Sequence, residues 1–256
     1  AVSLGGLRTL VATFLNLRAY TAFTEKRWRD VEQTFDTIVD LAPSTAYYLV
    51  TGSWHLAYNA GAYYKEDKEI SPLRRRELWT SHVLKGRDFL RRGIRNNPDN
   101  WQLNAELGDL LSSEDKISAF GDRNAALIEA ADAYHKAAET GNAGLFVSRG
   151  AFYCLARIPG REGEALAIGE KLFGIRANRT PTLLALLISL SKHADPSLDT
   201  TALAGKLFSS DQLAYQALSG LWQGRQGYPV DGFAETLKTL ETRLGISPEK
   251  SVLGTH

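Results

Sequence analysis

The chain repeats one spacing along most of its length: a small or apolar residue, another four positions on, a third three further, and a loop or cap residue five beyond. Val31, Phe35, Ile38 and Pro43 set it, and Gly86, Leu90, Gly93 and Pro98 repeat it. Ala130, Tyr134, Ala137 and Asn142 follow, then Ala165, Gly169, Leu172 and Ala177, and last Phe233, Leu237, Leu240 and Gly245. Steps of four and three put side chains on one face of an α-helix. A second phase of the same kind precedes the first four: Leu15, Ala19, Ala22; Tyr48, Gly52, His55; Asn104, Gly108, Leu111; and Phe146, Gly150, Tyr153. Each unit is therefore expected to be two helices packed face to face. A hairpin of this kind cannot bury its apolar face alone, so neighbouring units cover it in series.

Breakers and caps divide the chain on this basis. The pattern predicts a helix over Leu7 to Phe23, a return over Trp28 to Leu41 stopped before Pro43, and a third helix capped by Ser44 or Thr45 and running to about Asn59. Gly61 to Ile70 reads as a polar and aromatic insertion, after which Ser71-Pro72 opens a helix ending near Asn97. Trp101 to Leu111, a polar and mobile insertion over Ser112 to Asp122, and a helix over Asn124 to Thr140 come next. Leu145 to Ile158 pairs with Glu162 to Arg176 around Pro159-Gly160, Pro181 to His193 with Thr200 to Phe208, and Gln212 to Gln223 with Asp231 to Leu244. No segment reads as a strand. Glycine in a helix interior costs about 0.5 to 1 kcal/mol against alanine. Gly52, Gly86, Gly93, Gly108, Gly150 and Gly169 are therefore expected where helices approach closely.

Leu107-Gly108 with Leu111, then Ala130, Tyr134 and Ala137, and the terminal Pro43 and Pro98, resemble the tetratricopeptide repeat (TPR) family. The resemblance implies an all-α fold, a right-handed superhelix of antiparallel hairpins (a TPR-like α-solenoid) with about five to six of them. It covers residues 12–177; residues 1–177 are expected to form the repeats and residues 178–256 to continue them as C-terminal helical hairpins. The family binds proteins or peptides without catalysis. The resemblance thus implies a non-catalytic interaction scaffold or adaptor with a protein or peptide partner, no catalytic residue, no cofactor and no metal. Its groove is lined by the first helix of each pair, which by register puts Asn16, Tyr20, Phe23, Leu49, Ser53, Leu56, Gln102, Ala105, Asp109, Val147 and Ala151 inward. One subgroup clamps the terminal carboxylate of chaperone tails through Lys, Arg and Asn; only Asn16 fits here, while Tyr20, Val50 and Ala105 do not, so that function is rejected.

Composition narrows the partner. A net charge of +1 argues against a dedicated, specific nucleic-acid binder. The basic residues nevertheless cluster, and Arg87, Arg91 and Arg95 share one helix edge that would suit an acidic partner. Tyr58, Tyr63 and Tyr64 lie in the segment richest in aromatics, and aromatic rings with polar tips suit interfaces. The competing reading is a carbohydrate-binding protein or enzyme in which Trp54 and Tyr58 stack on a sugar beside acids such as Asp109. The pair Glu106 and Asp109 counts as ordinary surface charge on sequence alone.

Scattered histidines (His55, His82, His135, His193, His256) give no zinc-helix spacing, and glycine-rich phosphate loops and nucleophile elbows are absent. Cys154, a lone thiol, is expected in the core. Asn178-Arg179-Thr180 matches the N-glycosylation acceptor. No run approaches the roughly 20 apolar residues that cross a bilayer, so no transmembrane segment is expected in this sequence. The chain reads as soluble, either cytoplasmic or exported, and an upstream signal or membrane anchor ahead of Ala1 remains compatible with its lack of an initiator methionine.

Overall fold

The computed structural model describes residues 2–224 and 227–254, and the side chains among them from residue 6 onward. The described residues are helical and contain no strand, so the chain is all-α. They divide into two compact units, residues 1–143 and residues 144–256.

In the first unit, α1 (Val2–Thr24) packs on α2 (Trp28–Leu41), and α2 on α3 (Ala46–Trp54). α3 does not stop near Asn59. It passes through a π-helical turn, His55–Ala60, into α4 (Gly61–Glu66), and all three pieces pack on α5 (Pro72–Asn96). The segment read as an insertion over Gly61 to Ile70 is thus largely helix, because Ala60 and Gly61 are buried against α5 and leave no room for a loop there. α5 then packs on α6 (Trp101–Ser112) and α6 on α7 (Arg123–Glu139). The second expected insertion, Ser112 to Asp122, is anchored rather than loose: a 3₁₀ turn over Ile117–Phe120 buries Ile117 and Ala119, and Lys116 is buried beside them.

In the second unit, α8 (Leu145–Leu155) packs on α9 (Glu162–Phe173), and α9 on α10 (Pro181–Ala194). α10 packs on α11 (Thr200–Leu207) and α12 (Asp211–Gly224), and α13 (Phe233–Leu244) closes against α11 and α12. α10 is buried without a break from Leu183 to Leu190, which is why its sequence lacks a polar face. Cys154 is buried as expected. Asn178 is also fully buried and accepts from Arg149 Nη1 at 2.9 Å, so the glycosylation match is sealed in the folded chain.

Helix starts follow local chemistry. Ser71, Asn100, Asp122, Thr180 and Asp199 each accept a backbone N–H from their own first turn, satisfying a donor that the helix cannot. Thr45 occupies the N-cap of α3, but its hydroxyl accepts nothing from that turn.

The close approach of α3 and α5 explains a costly glycine. A Cβ on Gly86 would lie 2.6 Å from Ala57 Cβ and 3.0 Å from the Ser53 carbonyl oxygen, and Ser53 Oγ donates to the Gly86 carbonyl at 2.9 Å. Gly108 is similar, with Tyr134 ring atoms starting 2.8 Å from a built Cβ. Gly220, mid-way along α12, has nothing within 4 Å. Gly86→Ala is therefore expected to destabilise the chain by about 1–3 kcal/mol through overpacking. Gly220→Ala should stabilise it by about 0.5–1 kcal/mol through helix propensity alone. Urea unfolding of both variants measures the opposite signs.

Candidate functional site

The register of α3 decides which side chains reach solvent. Leu49 meets Gly93 of α5, Gly52 meets Phe89 and Phe35, Ser53 bonds Gly86, and Leu56 is buried just beyond. Leu49, Ser53 and Leu56 are thus core residues at 0%, 3% and 1% exposure and do not line a groove, contrary to the sequence expectation. Ala105, Val147 and Ala151 are corrected for the same reason. The side of α3 that does reach solvent carries Tyr47 and Trp54, and Tyr58 follows in the π-helical turn.

Trp54 is 51% exposed, and its ring stacks on Tyr58 with centroids 4.3 Å apart and 17° between planes. Stacking on one face fixes the indole and leaves the remainder open. Lys116 Nζ sits 5.1 Å from the centroid of the Tyr58 ring, a cation over a π face. Burial, joined by the charges of Asp109, Glu106 and Asp115, pushes the Tyr58 phenol up to about 12, so it stays protonated and can donate. Burial also lowers the Lys116 ammonium, with Lys65 opposing its charge and Asp115 favouring it.

α6 supplies the carboxylates. Gln102 and Asp109 are exposed, and Glu106 between them is half-buried. Tyr134 of α7 donates its hydroxyl to Asp109 Oδ1, which orients that carboxylate. Neither Glu106 nor Asp109 has an ion-pair partner among the described residues. Burial first, and the neighbouring Asp109 charge second, hold the Glu106 carboxyl above its ordinary range. A half-buried acid raised in this way gains when a cation arrives. Trp54, Tyr58, Glu106 and Asp109 therefore make a surface that favours cationic or hydrogen-bonding groups with a flat apolar side.

The other expected positions divide. On α1, Tyr20 is exposed, whereas Asn16 and Phe23 are half-buried and Phe23 packs 4.7 Å from the His55 ring. Tyr63 packs on Trp28 at 5.7 Å and Tyr64 on His82 at 4.8 Å, so both serve the interior as much as the surface. His55 Nδ1 accepts from Asn59 at 3.0 Å across the π-helical turn, and burial lowers its pKa.

Along the arginine edge of α5, Arg87 and Arg91 are held by carboxylates of the same unit, and Arg95 is exposed. Arg91 forms a bidentate pair with Glu129 of α7 at 2.8 and 2.6 Å, and Arg87 pairs with Asp88 at 2.9 Å. Of the three predicted residues, Arg95 makes no ion pair among the described residues. On the opposite edge, Arg92 reaches Asp36 at 3.0 Å and Lys85 reaches Glu32 at 2.6 Å, both on α2. The sequence could not reveal the pairs of Arg91, Arg92 and Lys85, because their partners lie 38 to 56 positions away along the chain.

A cleft of about 390 Å³ lies beside the Lys116 segment, lined by Lys65, Arg75 and Arg76 against Glu114 and Asp115, with Trp79 on its wall. Among the described residues, no group of His, Cys, Asp and Glu side chains could hold a metal ion, and His256 lies outside them. No described helix is long and apolar enough to cross a membrane. No family model matches the chain, and no curated protein matches it.

The raised Glu106 pKa has a defined consequence for stability. An acid with a higher pKa in the folded chain binds its proton more tightly there, so its contribution is complete below the ordinary value of 4.5 and is lost as pH rises through the raised one. Glu106→Gln is expected to raise the urea midpoint at pH 7 and to leave it nearly unchanged at pH 4, measured against the parent chain at both pH values.

Proposed function

We propose that the chain is a non-catalytic interaction scaffold, a TPR-like α-solenoid of antiparallel hairpins, that holds a protein or peptide segment on the exposed side of α3 and α6. Three features support the arrangement. Consecutive helices pack on one another within each unit, small residues sit at their crossings, and the breaks fall at caps and prolines. The observation that carries the binding reading is the half-exposed Trp54 ring on Tyr58 beside Glu106 and Asp109, two carboxylates with no cation of their own. Aromatic anchors bring large area at low entropic cost, and an unpaired carboxylate favours a lysine or arginine presented by the partner.

A sugar is the second reading, because an exposed indole stacked on Tyr58, whose phenol lies within the field of Asp109 and Glu106, also offers a stacking platform with hydrogen-bonding groups at its rim. A photo-crosslinking residue at position 102 and a glycan array separate the two. A covalent protein adduct supports the scaffold; glycan binding without any adduct replaces it with the sugar reading, and failure of both removes the surface as a site. Trp54→Ala is expected to lower adduct yield about ten-fold, the size of a single interface hot spot. Glu106→Gln with Asp109→Asn should lower it further at low salt than at high salt.

A further inference from the structure

α1 is built inside out. The residues it buries fully are small, Ala12, Ala19 and Ala22 at 0%, 2% and 2% exposure, and of its larger apolar side chains Leu15 and Phe23 are half-buried. Five large apolar side chains face solvent: Leu7 at 56%, Leu10 at 54%, Val11 at 40%, Phe14 at 65% and Leu17 at 62%. These five recur at helical spacing and form one continuous stripe, whereas a surface helix of a water-soluble unit normally shows the reverse arrangement.

Charge narrows what covers the stripe. Within α1 the only charged residues are Arg8 and Arg18, both exposed, and no acidic residue occurs from Val2 to Thr24. A second copy laid along the stripe would bring these arginines near one another, whether the helices ran parallel or antiparallel, with no carboxylate on either α1 to offset them. A lipid surface with anionic headgroups supplies both requirements at once: an apolar layer for the five side chains and negative charge for arginines that extend upward from it. From Leu7 to Leu17 the stripe runs about 15 Å along the helix, enough to seat its five side chains side by side in the interfacial layer of a membrane.

We propose that the outward face of α1 docks on an anionic membrane surface, with Leu7, Leu10, Val11, Phe14 and Leu17 inserted and Arg8 and Arg18 at the headgroups. The site is separate from the α3 and α6 surface, so either reading can fail without the other. The test is co-sedimentation of the whole chain with phosphatidylcholine vesicles with and without phosphatidylserine. Retention is expected on the phosphatidylserine vesicles. Phe14→Ser with Leu17→Ser should weaken it roughly ten-fold or more, and Arg8→Gln or Arg18→Gln should each weaken it about five-fold. These side chains are exposed, so an unchanged urea midpoint verifies that the variants fold. Absence of retention overturns the proposal, as does retention indifferent to Phe14→Ser with Leu17→Ser. It is equally overturned by a dimer in analytical ultracentrifugation that the same pair of substitutions returns to monomer without vesicle binding in the parent.

Discussion

The first unit depends on how closely α5 approaches α3. With no side chain at Gly86, the two backbones come near enough for Ser53 to bond the Gly86 carbonyl, and Phe89 and Leu49 then fill the glycine notches at Gly52 and Gly93. Steric fit of this kind is sensitive at the scale of one methyl group, because protein interiors are packed like crystals. The same approach sets α5 between α2 and α7, where Lys85 and Arg92 meet carboxylates of one neighbour and Arg91 meets Glu129 of the other. These half-exposed pairs contribute little stability individually. Their consequence is specificity of neighbour, since each edge of α5 is matched by charge to a different helix.

That packing also determines what remains for a partner. Once Leu49, Gly52, Ser53 and Leu56 are committed to α5, the open side of the third helix is the one that carries Trp54, and the facing part of α6 presents Gln102, Glu106 and Asp109. Ser53 is satisfied by the Gly86 carbonyl, the buried Trp28 and Trp79 indole N–H groups have no acceptor among the described residues, and the surface leaves two acids without a counter-charge. Acids left without a counter-charge beside an exposed aromatic ring are where recognition is best sought.

Much of the fold was legible in sequence because helix ends have local causes. Ser71-Pro72, Thr180-Pro181 and the turn at Asn97 to Asn100 mark their helices by caps and fixed backbone angles that involve only nearby residues. The glycines of the repeat also had a physical reason that spacing could suggest. The facing of α3 was not legible, since residues on adjacent stripes of one helix differ only by which neighbour covers them. Trp54 and Tyr58 were visible as aromatics and Glu106 with Asp109 as a helical pair, but their convergence depends on the tertiary placement of α6. Arg91 misled for the same reason: a free surface cation and one clasped to a distant helix are identical in one dimension.

The π-helical turn over His55–Ala60 gives the third helix more residues than an α-helix would place in that length. Side chains after it are out of phase with those before it, so Tyr63 and Tyr64 look toward Trp28 and His82 while Trp54 looks away from the interior. One supernumerary residue thus lets a single rod serve two audiences. Were that residue deleted, the rod would wind evenly and everything downstream would swing by about 100°, trading the inner aromatic contacts for water.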